Sequence, residues 1–184
     1  MMRELADNIL DIAQNSIAAG ASLVEIDISV SRAQDTVSLA FIDDGCGMSE
    51  DMVRAVCDPF TTTRTTRKVG LGIPMLKQSA EMAGGTFGIE SEIGKGTWIH
   101  ASFDLSNIDC IPMGEICDSL VTLIVLNPET PDFVFQAFAP EKEALFDTRQ
   151  VREALGGVSL AEPEVAAWIK ESIDEEFKPI LEVS

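Results

Sequence analysis

The sequence predicts a layered α/β sandwich in which helices cover one side of a largely antiparallel sheet. Two observations predict it. Apolar residues recur either at helical spacing or in alternation, and the resulting elements follow the order helix, strand, strand, helix, loop, helix, strand, strand. The chain has 184 residues, of which 46% are hydrophobic, so it can bury a substantial core.

The first predicted element is an amphipathic helix that ends at Gly20, a residue typical of helix C-termini. An apolar stripe on one face indicates burial against a core. A polar row, with members three and four residues apart, lies on a second face. Such a row is typical of a solvated surface, but it would also suit the wall of a binding site. The apolar stripe is Leu5, Ile9, Ile12 and Ile17, and the polar row is Asn8, Asp11 and Asn15.

Four strands and two further helices follow in the first part of the chain. Period-two alternation predicts the strands, and serine at a helix start or proline in a first turn marks the helices. A polar, basic stretch between the two helices is predicted to be a loop. The strands lie within SLVEIDISVSR (22–32), TVSLAFIDDG (36–45), TFGIESE (86–92) and TWIHASF (97–103), the helices over 49–57 and 73–82, and the loop within DPFTTTRTTRKVGLG (58–72).

The pattern and the charge of the sequence change near residue 107. We divide the chain there into a domain of residues 1–106 and an acidic α+β C-terminal extension of residues 107–184. The first part holds 15 acids and 8 bases, the second 16 acids and 5 bases. The acidity of the extension suits either a solvated surface or a docking face for a basic partner. Its predicted elements are a helix within 112–128, strands over 132–138 and 142–148, and helices over 149–157 and 163–177.

The composition excludes several classes of function. The formal net charge of −18 argues against general binding of nucleic acid or of an anionic membrane. The longest apolar run, Leu120–Leu126, is far shorter than a transmembrane helix, and the N-terminus carries no secretory signal pattern. The four cysteines form no C-x-x-C pair, which argues against a zinc site and favours reduced thiols. We therefore expect a cytoplasmic protein that binds neither nucleic acid nor membranes.

Three glycine-containing stretches could carry chemistry. DDGCGM (43–48) follows a strand, where glycines let the backbone bend towards a ligand. GLGIP (70–74) precedes a helix, whose N-terminal N–H groups suit phosphate, and GKGTW (94–98) reads as a hairpin. Each also suits an ordinary turn, and the lone G-x-G is neither a P-loop nor a dinucleotide fingerprint. The basic residues ahead of GLGIP that could contact phosphate are Arg64, Arg67 and Lys68.

Taken in order, these stretches resemble the motifs of the GHKL ATPase and kinase superfamily. That group includes gyrase, the large heat-shock chaperone ATPases, histidine kinases and mismatch-repair ATPases. The resemblance covers residues 4–104 and implies the Bergerat ATP-binding fold, a two-layer α/β sandwich of the histidine-kinase-like type, over residues 1–106. The matching motifs are QNSIAAGA for the N box, DDGCGM for the G1 box, DPFTTTR for the F box, GLGIP for the G2 box and GKGT for the final glycine motif.

The resemblance implies roles for individual residues. Asn15 would bind Mg²⁺, which bridges the phosphates of ATP, and Asp43 would accept a hydrogen bond from the adenine amino group. Asp11 stands where hydrolytic members carry a water-activating glutamate, so it would act as a base or hold the water shell of the metal. The other positions implied to contact ATP or ADP are Gly45, Gly47, Met48, Phe60, Thr62, Thr63, Arg64, Lys68, Gly70, Leu71, Gly72, Ile73, Gly96 and Thr97.

Two features depart from the family pattern. The F box has Cys57 where a phenylalanine is usual. Only a few residues precede the N box, so we expect no helix pair with a phosphoacceptor histidine, and we interpret His100 as an ordinary strand residue.

Three functions fit these features. The chain could be a stand-alone kinase similar to the anti-sigma-factor serine kinases, a nucleotide-responsive module whose 61–69 lid is ordered by ATP, or the catalytic part of a histidine kinase whose phosphoacceptor lies on another chain. The extension argues against a minimal anti-sigma kinase. We favour a magnesium-dependent, ATP-binding regulatory protein that transfers phosphate, or signals its nucleotide state, to a protein partner, and a homodimer is compatible with this prediction.

Overall fold

The computed structural model describes residues 4–58 and 70–182, which form six helices and six strands. In chain order these are α1 (Leu5–Ala18), β1 (Leu23–Ser31), β2 (Thr36–Asp43), α2 (Glu50–Val56), α3 (Gly72–Met82), β3 (Phe87–Glu92), β4 (Gly96–Asp104), α4 (Ile116–Leu126), β5 (Asp132–Ala139), β6 (Lys142–Asp147), α5 (Thr148–Leu155) and α6 (Pro163–Leu181). The α/β sandwich and the order of its elements are confirmed.

The six strands form one sheet in the order β3-β4-β2-β1-β5-β6. Every neighbouring pair is antiparallel except β1 and β5, which run parallel with Ile26 opposite Phe135. The sheet is therefore largely antiparallel, as predicted, and the extension contributes its last two strands. The sequence pattern did not show that β5 would pair with β1, because a local pattern of alternation does not name a strand's neighbour.

The core lies between the inner face of this sheet and the helices. On β1, the inward residues Val24, Ile26 and Ile28 are fully buried, as the alternation predicted. From α1, the stripe residues Ile9 and Ile12 pack against them in the same cluster. Burial of this apolar surface is the main stabilising contribution to the fold.

The extension also supplies hydrogen-bond acceptors to the N-terminal end of α1. The N–H group of Leu5 donates to the carbonyl of Pro112 at 2.8 Å, and that of Ala6 donates to the carbonyl of Met113 at 3.0 Å. Two of the backbone donors that a helix start leaves unsatisfied thus find partners in the chain that follows β4. The helix that bears the polar row is held by residues from beyond position 107.

The longest helix, α6, has 19 residues and runs from Pro163 to Leu181. One side of it is buried through Ile169, Ile173 and Phe177, which pack into the common core. Over residues 4–58 and 70–182, no helix has both the length and the apolarity needed to cross a bilayer.

Candidate nucleotide-binding site

A pocket of about 110 Å³ opens between α1, the end of β2 and the start of α3. Its wall is mostly apolar, with a few polar groups, which is typical of a site for a small organic ligand. Six residues of the sequence prediction line it: Asn15, Asp43, Gly47, Met48, Ile73 and Thr97.

Asp43 stands at the end of β2 with its carboxylate fixed on both oxygens. The hydroxyl of Ser16 donates to Oδ2 at 2.6 Å, and the N–H of Gly45 donates to Oδ1 at 2.9 Å. Each carboxylate oxygen has more than one lone pair, so the group can still accept a further hydrogen bond from a ligand. The orientation of the carboxylate is thus set before any ligand binds.

The neighbouring carboxylate of Asp44 accepts hydrogen bonds from the start of β1. The backbone N–H groups of Ser22 and Leu23 donate to its Oδ1 at 2.7 Å and 2.9 Å, and the Ser22 hydroxyl donates to Oδ2. Partial burial raises the pKa of Asp44, but these hydrogen bonds outweigh burial and bring the pKa below its usual range. Asp44 therefore links the start of β1 to the end of β2 through hydrogen bonds. Asp43, and not Asp44, lines the pocket.

Two glycines of the site are required by close backbone contacts. Gly47 has a φ of +66°, and a Cβ atom there would lie 1.9 Å from the carbonyl oxygen of Glu92. Gly96 has a φ of +110°, and a Cβ atom there would lie 1.8 Å from the carbonyl oxygen of Asp43. Any other residue would therefore have to shift the backbone at either position. These glycines let the β3–β4 hairpin pack directly against the chain that follows β2.

A serine in β3 links the pocket walls. The N–H of Met48 donates to the Ser91 hydroxyl oxygen at 2.8 Å, and that hydroxyl lies 2.9 Å from both the Gly96 carbonyl oxygen and the Thr97 Oγ1. This network joins the loop after β2 to the first residues of β4. It holds Met48 and Thr97 in fixed positions at the pocket.

Two residues of the polar row of α1, Asp11 and Asn15, face the start of α3. A Cβ atom on Gly72 would lie 3.2 Å from the Cβ of Asp11 and 3.7 Å from Nδ2 of Asn15. A Cβ atom on Gly70 would lie 4.0 Å from Oδ1 of Asn15. The first backbone N–H groups of a helix lack intrahelical acceptors and favour anions. The fold therefore brings together two motifs that are some 55 residues apart in the sequence.

Asp11 has an unusual electrostatic setting for an exposed residue. Loss of hydration raises its pKa above the ordinary value of 3.8, and the carboxylate of Asp7 raises it further. A carboxylate with a raised pKa is a better proton acceptor than an ordinary aspartate. It lies one turn before Asn15, at the position for which the sequence predicts either a base or a residue that holds the water shell of the metal.

Asn15 places a side-chain amide at the pocket, and an amide oxygen is a kind of ligand that Mg²⁺ accepts. Its Nδ2 is buried and has no hydrogen-bond partner among the residues that the structure describes, so this donor is available to a ligand. Over the same residues, no group of three or more histidine, cysteine, aspartate or glutamate side chains could hold a metal. An ion at Asn15 would thus depend on phosphate and water for its other ligands, as Mg²⁺ commonly does.

The remaining predicted residues are distributed around the pocket or lie outside the described chain. Gly45 packs against Ala19 behind Asp43, and Leu71 is 56% exposed at the start of α3. His100 stacks on Trp98, with the ring centroids 4.8 Å apart, and stays an ordinary strand residue. Six residues of the loop between α2 and α3 lie outside the described residues: Phe60, Thr62, Thr63, Arg64, Arg67 and Lys68.

Asn8 belongs neither to a solvated face nor to the pocket wall. Its side chain is fully buried, and its Nδ2 donates to the carbonyl of Glu4 at 3.3 Å. Its Oδ1 has no partner within residues 4–58 and 70–182. A solvated-face interpretation of the polar row is therefore wrong at this position, since spacing alone does not show which side of the row faces the core.

Sequence reasoning missed several residues that shape the site. Ser16 sits beside Asn15 in the sequence, and its contact with Asp43 is invisible until the helix and strand are placed together. Ser91 could have been suspected from its inward position in a strand, where a polar residue needs a partner. The other missed residues that line the pocket are Ile12, Ala18, Ala19, Cys46, Met52 and Ile99.

The chain is similar to known proteins over the part that forms this pocket. Sensor histidine kinase AruS of Pseudomonas aeruginosa is 28% identical over 67% of this chain, and sporulation kinase E of Bacillus subtilis is 33% identical over 53% of it. The chain spans 13% of the length of each of these relatives.

Solved structures and a family model agree with these similarities. The N-terminal domain of a DNA repair protein matches with a TM-score of 0.53 and 16% identity, covering 78% of this chain and 52% of that one, which shows a shared fold. Residues 1–107 match the family model described as histidine kinase-, DNA gyrase B-, and HSP90-like ATPase. The pocket, the motifs and this match together show that the chain belongs to that family and carries its kinase-like ATP-binding domain.

Proposed function

We propose that this protein is a magnesium-dependent, ATP-binding regulatory protein that transfers phosphate, or signals its nucleotide state, to a protein partner in the cytoplasm. One observation carries the proposal. The oriented carboxylate of Asp43 lies in the same pocket as Asn15, and Asn15 faces the N-terminus of α3. One end of the pocket thus suits a base and the other suits phosphates.

Recognition of the base would depend on Asp43. With Ser16 and Gly45 holding its two oxygens, the carboxylate can accept a hydrogen bond from the amino group of adenine. Guanine presents a carbonyl oxygen at the equivalent position, which would leave two acceptors facing each other. Such a mismatch leaves buried polar groups unpaired and disfavours binding strongly.

The phosphates would lie against Gly70, Gly72 and the first N–H groups of α3. Asn15 would hold Mg²⁺ there, and that ion would neutralise phosphate charge when bound. Arg64 and Lys68, outside the described residues, remain candidates for contacts to the γ-phosphate.

Asp11 would accept a proton from the attacking hydroxyl, whether that belongs to water or to a side chain of a partner. Its raised pKa and its place beside Gly72 support this role. Transfer to water would make the protein an ATPase, and transfer to a partner would make it a kinase.

A second function is favoured by the curated relatives. They are named as sensor or sporulation kinases, and the chain spans 13% of AruS and of sporulation kinase E. This protein would then be the catalytic part of a histidine kinase whose phosphoacceptor lies on another chain. The ATP site would be the same, and only the acceptor would differ.

Incubation of the full chain with Mg²⁺ and ATP labelled on the γ-phosphate, with and without a lysate of the source organism, tests the proposal. A labelled protein would support a kinase, with acid-labile label indicating phosphohistidine. Steady release of phosphate would support an ATPase. Absence of ATP binding by calorimetry would overturn the proposal, whereas binding without turnover would leave the nucleotide-signalling form of it.

A further inference from the structure

The sheet has a second face, and it carries an unusual set of residues. Along each strand the inward residues meet the helices, and the alternate residues form what we call the outer face. The strand register places one continuous row of side chains across this face. From β3 to β6 the row is Glu90, Trp98, Ile42, Glu25, Val134 and Asp147.

Apolar and aromatic groups lie exposed at the outer face. Trp98 is 37% exposed beside Ile42, and its ring stacks on His100. Leu145 is 54% exposed at the β6 edge, and Phe138 is half-buried on β5. A face that only met water would gain nothing from a tryptophan, an isoleucine and a leucine, and exposed apolar surface of this kind often marks an interaction site.

The charges on the outer face have one sign. In the six strands that the structure describes, no outward position is lysine or arginine, while Glu25, Asp27 and Glu90 are acidic. Two arginines of α5 lie at the β5–β6 end of the face: Arg152 donates to Asp132 at 2.8 Å, and Arg149 donates to Asp147 at 2.8 to 3.2 Å and also attracts Glu25 electrostatically. Among the described residues, the face therefore combines an apolar strip with more carboxylates than cations, and its two arginines lie at the β5–β6 end, away from Glu90.

Asp27 lies in the middle of this face. Its Oδ1 is buried and has no hydrogen-bond partner in the described part of the chain. Burial raises the pKa of Asp27, and the adjacent Glu25 raises it further. A buried carboxylate oxygen without a hydrogen-bond donor is energetically unfavourable. A donor from a bound partner would therefore stabilise Asp27.

We propose that the outer face docks an amphipathic helix of a partner protein, with lysine or arginine residues flanking an apolar centre. The backbone N–H and C=O groups of the central strands already pair with the neighbouring strands, so another strand cannot add to them. A helix is the element that packs on the face of such a sheet. From Glu90 on β3 to Glu25 on β1 there are three strand spacings, about 14 Å, which a helix spans in about ten residues. Basic residues at that separation would meet both carboxylates, and the apolar turns between them would cover Trp98 and Ile42.

Other occupants fit the face less well. A second copy of the chain would place carboxylates against carboxylates, which costs energy in a self-complementary interface. Nucleic acid and anionic membranes carry the same sign of charge as the face. The proposal is independent of the proposed function, because Asp43 and Asn15 belong to the opposite side of the sheet.

The test uses the full chain with Trp168→Phe, which leaves Trp98 as its single fluorescent tryptophan. The probe is a synthetic helical peptide of about 15 residues with a leucine stripe flanked by lysines. We expect its addition to shift the Trp98 emission to shorter wavelength. A peptide with glutamate in place of lysine should produce no shift.

A pair of matched variants separates specific docking from general attraction to an acidic protein. Glu25→Gln with Asp27→Asn removes two charges from the outer face, and Glu171→Gln with Glu175→Gln removes two from exposed positions on α6. We expect the first pair to weaken binding about tenfold and the second pair less than about twofold. Far-ultraviolet circular dichroism should give the same spectrum for both pairs, which shows that the fold is intact.

Three results would overturn the proposal. One is an unchanged Trp98 emission, and another is equal weakening by the two pairs of variants. The third is a dimer in sedimentation experiments that Trp98→Glu converts to a monomer, because a second copy would then occupy the face.

Discussion

The hydroxyl of Ser16 donates a hydrogen bond to Oδ2 of Asp43 at 2.6 Å. Ser16 is 4% exposed and stands next to Asn15 on α1, whereas Asp43 ends β2. A single short contact thus connects the helix that faces the proposed phosphate region with the carboxylate of the proposed base region. Both ends of the pocket depend on the same helix–strand junction.

Replacement of Ser16 by alanine should weaken ATP binding about tenfold, because it removes a donor to a partly buried carboxylate worth about 1–1.5 kcal/mol. Isothermal titration calorimetry measures the effect. Ser119, which is also buried but lies on α4, provides the matched control as Ser119→Ala. Equal affinities for the Ser16 variant and the native chain would contradict the assigned role.

Two glycines with positive φ allow backbone strain to be separated from collision. Gly94 has a φ of +79° with open space around its missing Cβ, whereas Gly47 has a φ of +66° and faces the Glu92 carbonyl oxygen. Gly94→Ala should cost about 1 kcal/mol of unfolding free energy, and Gly47→Ala about 3 kcal/mol or more. Urea denaturation measures both. Similar losses for the two variants would show that Gly47 is not held by this contact.

Asp11→Asn should reduce phosphate transfer or release by about 10²–10⁴-fold and leave ATP binding nearly unchanged, since the variant keeps the shape of the side chain and loses the base. Single-turnover assays with labelled ATP measure the step. Native turnover by the variant would reject Asp11 as the base. Lost binding would instead indicate that Asp11 holds the metal or its water shell.

The raised pKa of Asp11 also predicts how activity depends on pH. The carboxylate must be deprotonated to accept a proton, so activity should fall in acid at a higher pH than an aspartate of pKa 3.8 would give. A pH profile of single-turnover rates, with folding checked by circular dichroism at each pH, measures the midpoint. A midpoint at or below 3.8 would contradict the expected shift.

Asp27 should make the protein less stable at neutral pH than in mild acid. Its folded-state pKa lies above the ordinary 3.8, so between these values the folded chain binds more protons than the unfolded chain. Its contribution to stability is therefore lost as the pH rises through the folded-state pKa. Asp27→Asn should remove this slope and raise the unfolding free energy at pH 7 by about 0.5–1 kcal/mol.

Urea unfolding at several pH values measures the Asp27 effect, and Glu171→Gln on the exposed side of α6 is the control. That control should change the unfolding free energy by less than about 0.5 kcal/mol. An Asp27→Asn chain less stable than the native chain at pH 7 would show that the carboxylate has a stabilising partner.

The strands and helices were predictable because each carries its own periodic pattern. In β1, the alternation assigned Val24, Ile26, Ile28 and Val30 to the core, and all four are buried. The helices predicted in the extension, within 112–128 and over 149–157 and 163–177, correspond to α4, α5 and α6. The parallel pairing of β5 with β1 was not predictable, since it depends on how two distant segments share one edge of a sheet.

Residues of the candidate site that belong to a family motif could be predicted. Residues whose place depends on contacts between distant segments of the chain could not. Asn15 and Asp43 come together in the pocket, in agreement with the motif order. Ser16 and Asp43 are 27 positions apart, and Ser91 lies 43 positions from Met48, so no local pattern links them. Burial of Asn8 depends on how α1 packs against the rest of the fold. The spacing of the polar row could not predict it.

The most direct test of the account compares ATP and GTP by isothermal titration calorimetry with Mg²⁺, on the native chain and on Asp43→Asn. The account predicts that the native chain binds ATP about 10⁴-fold more tightly than GTP, and that Asp43→Asn loses most of this preference. Equal affinities of the native chain for the two nucleotides would contradict it.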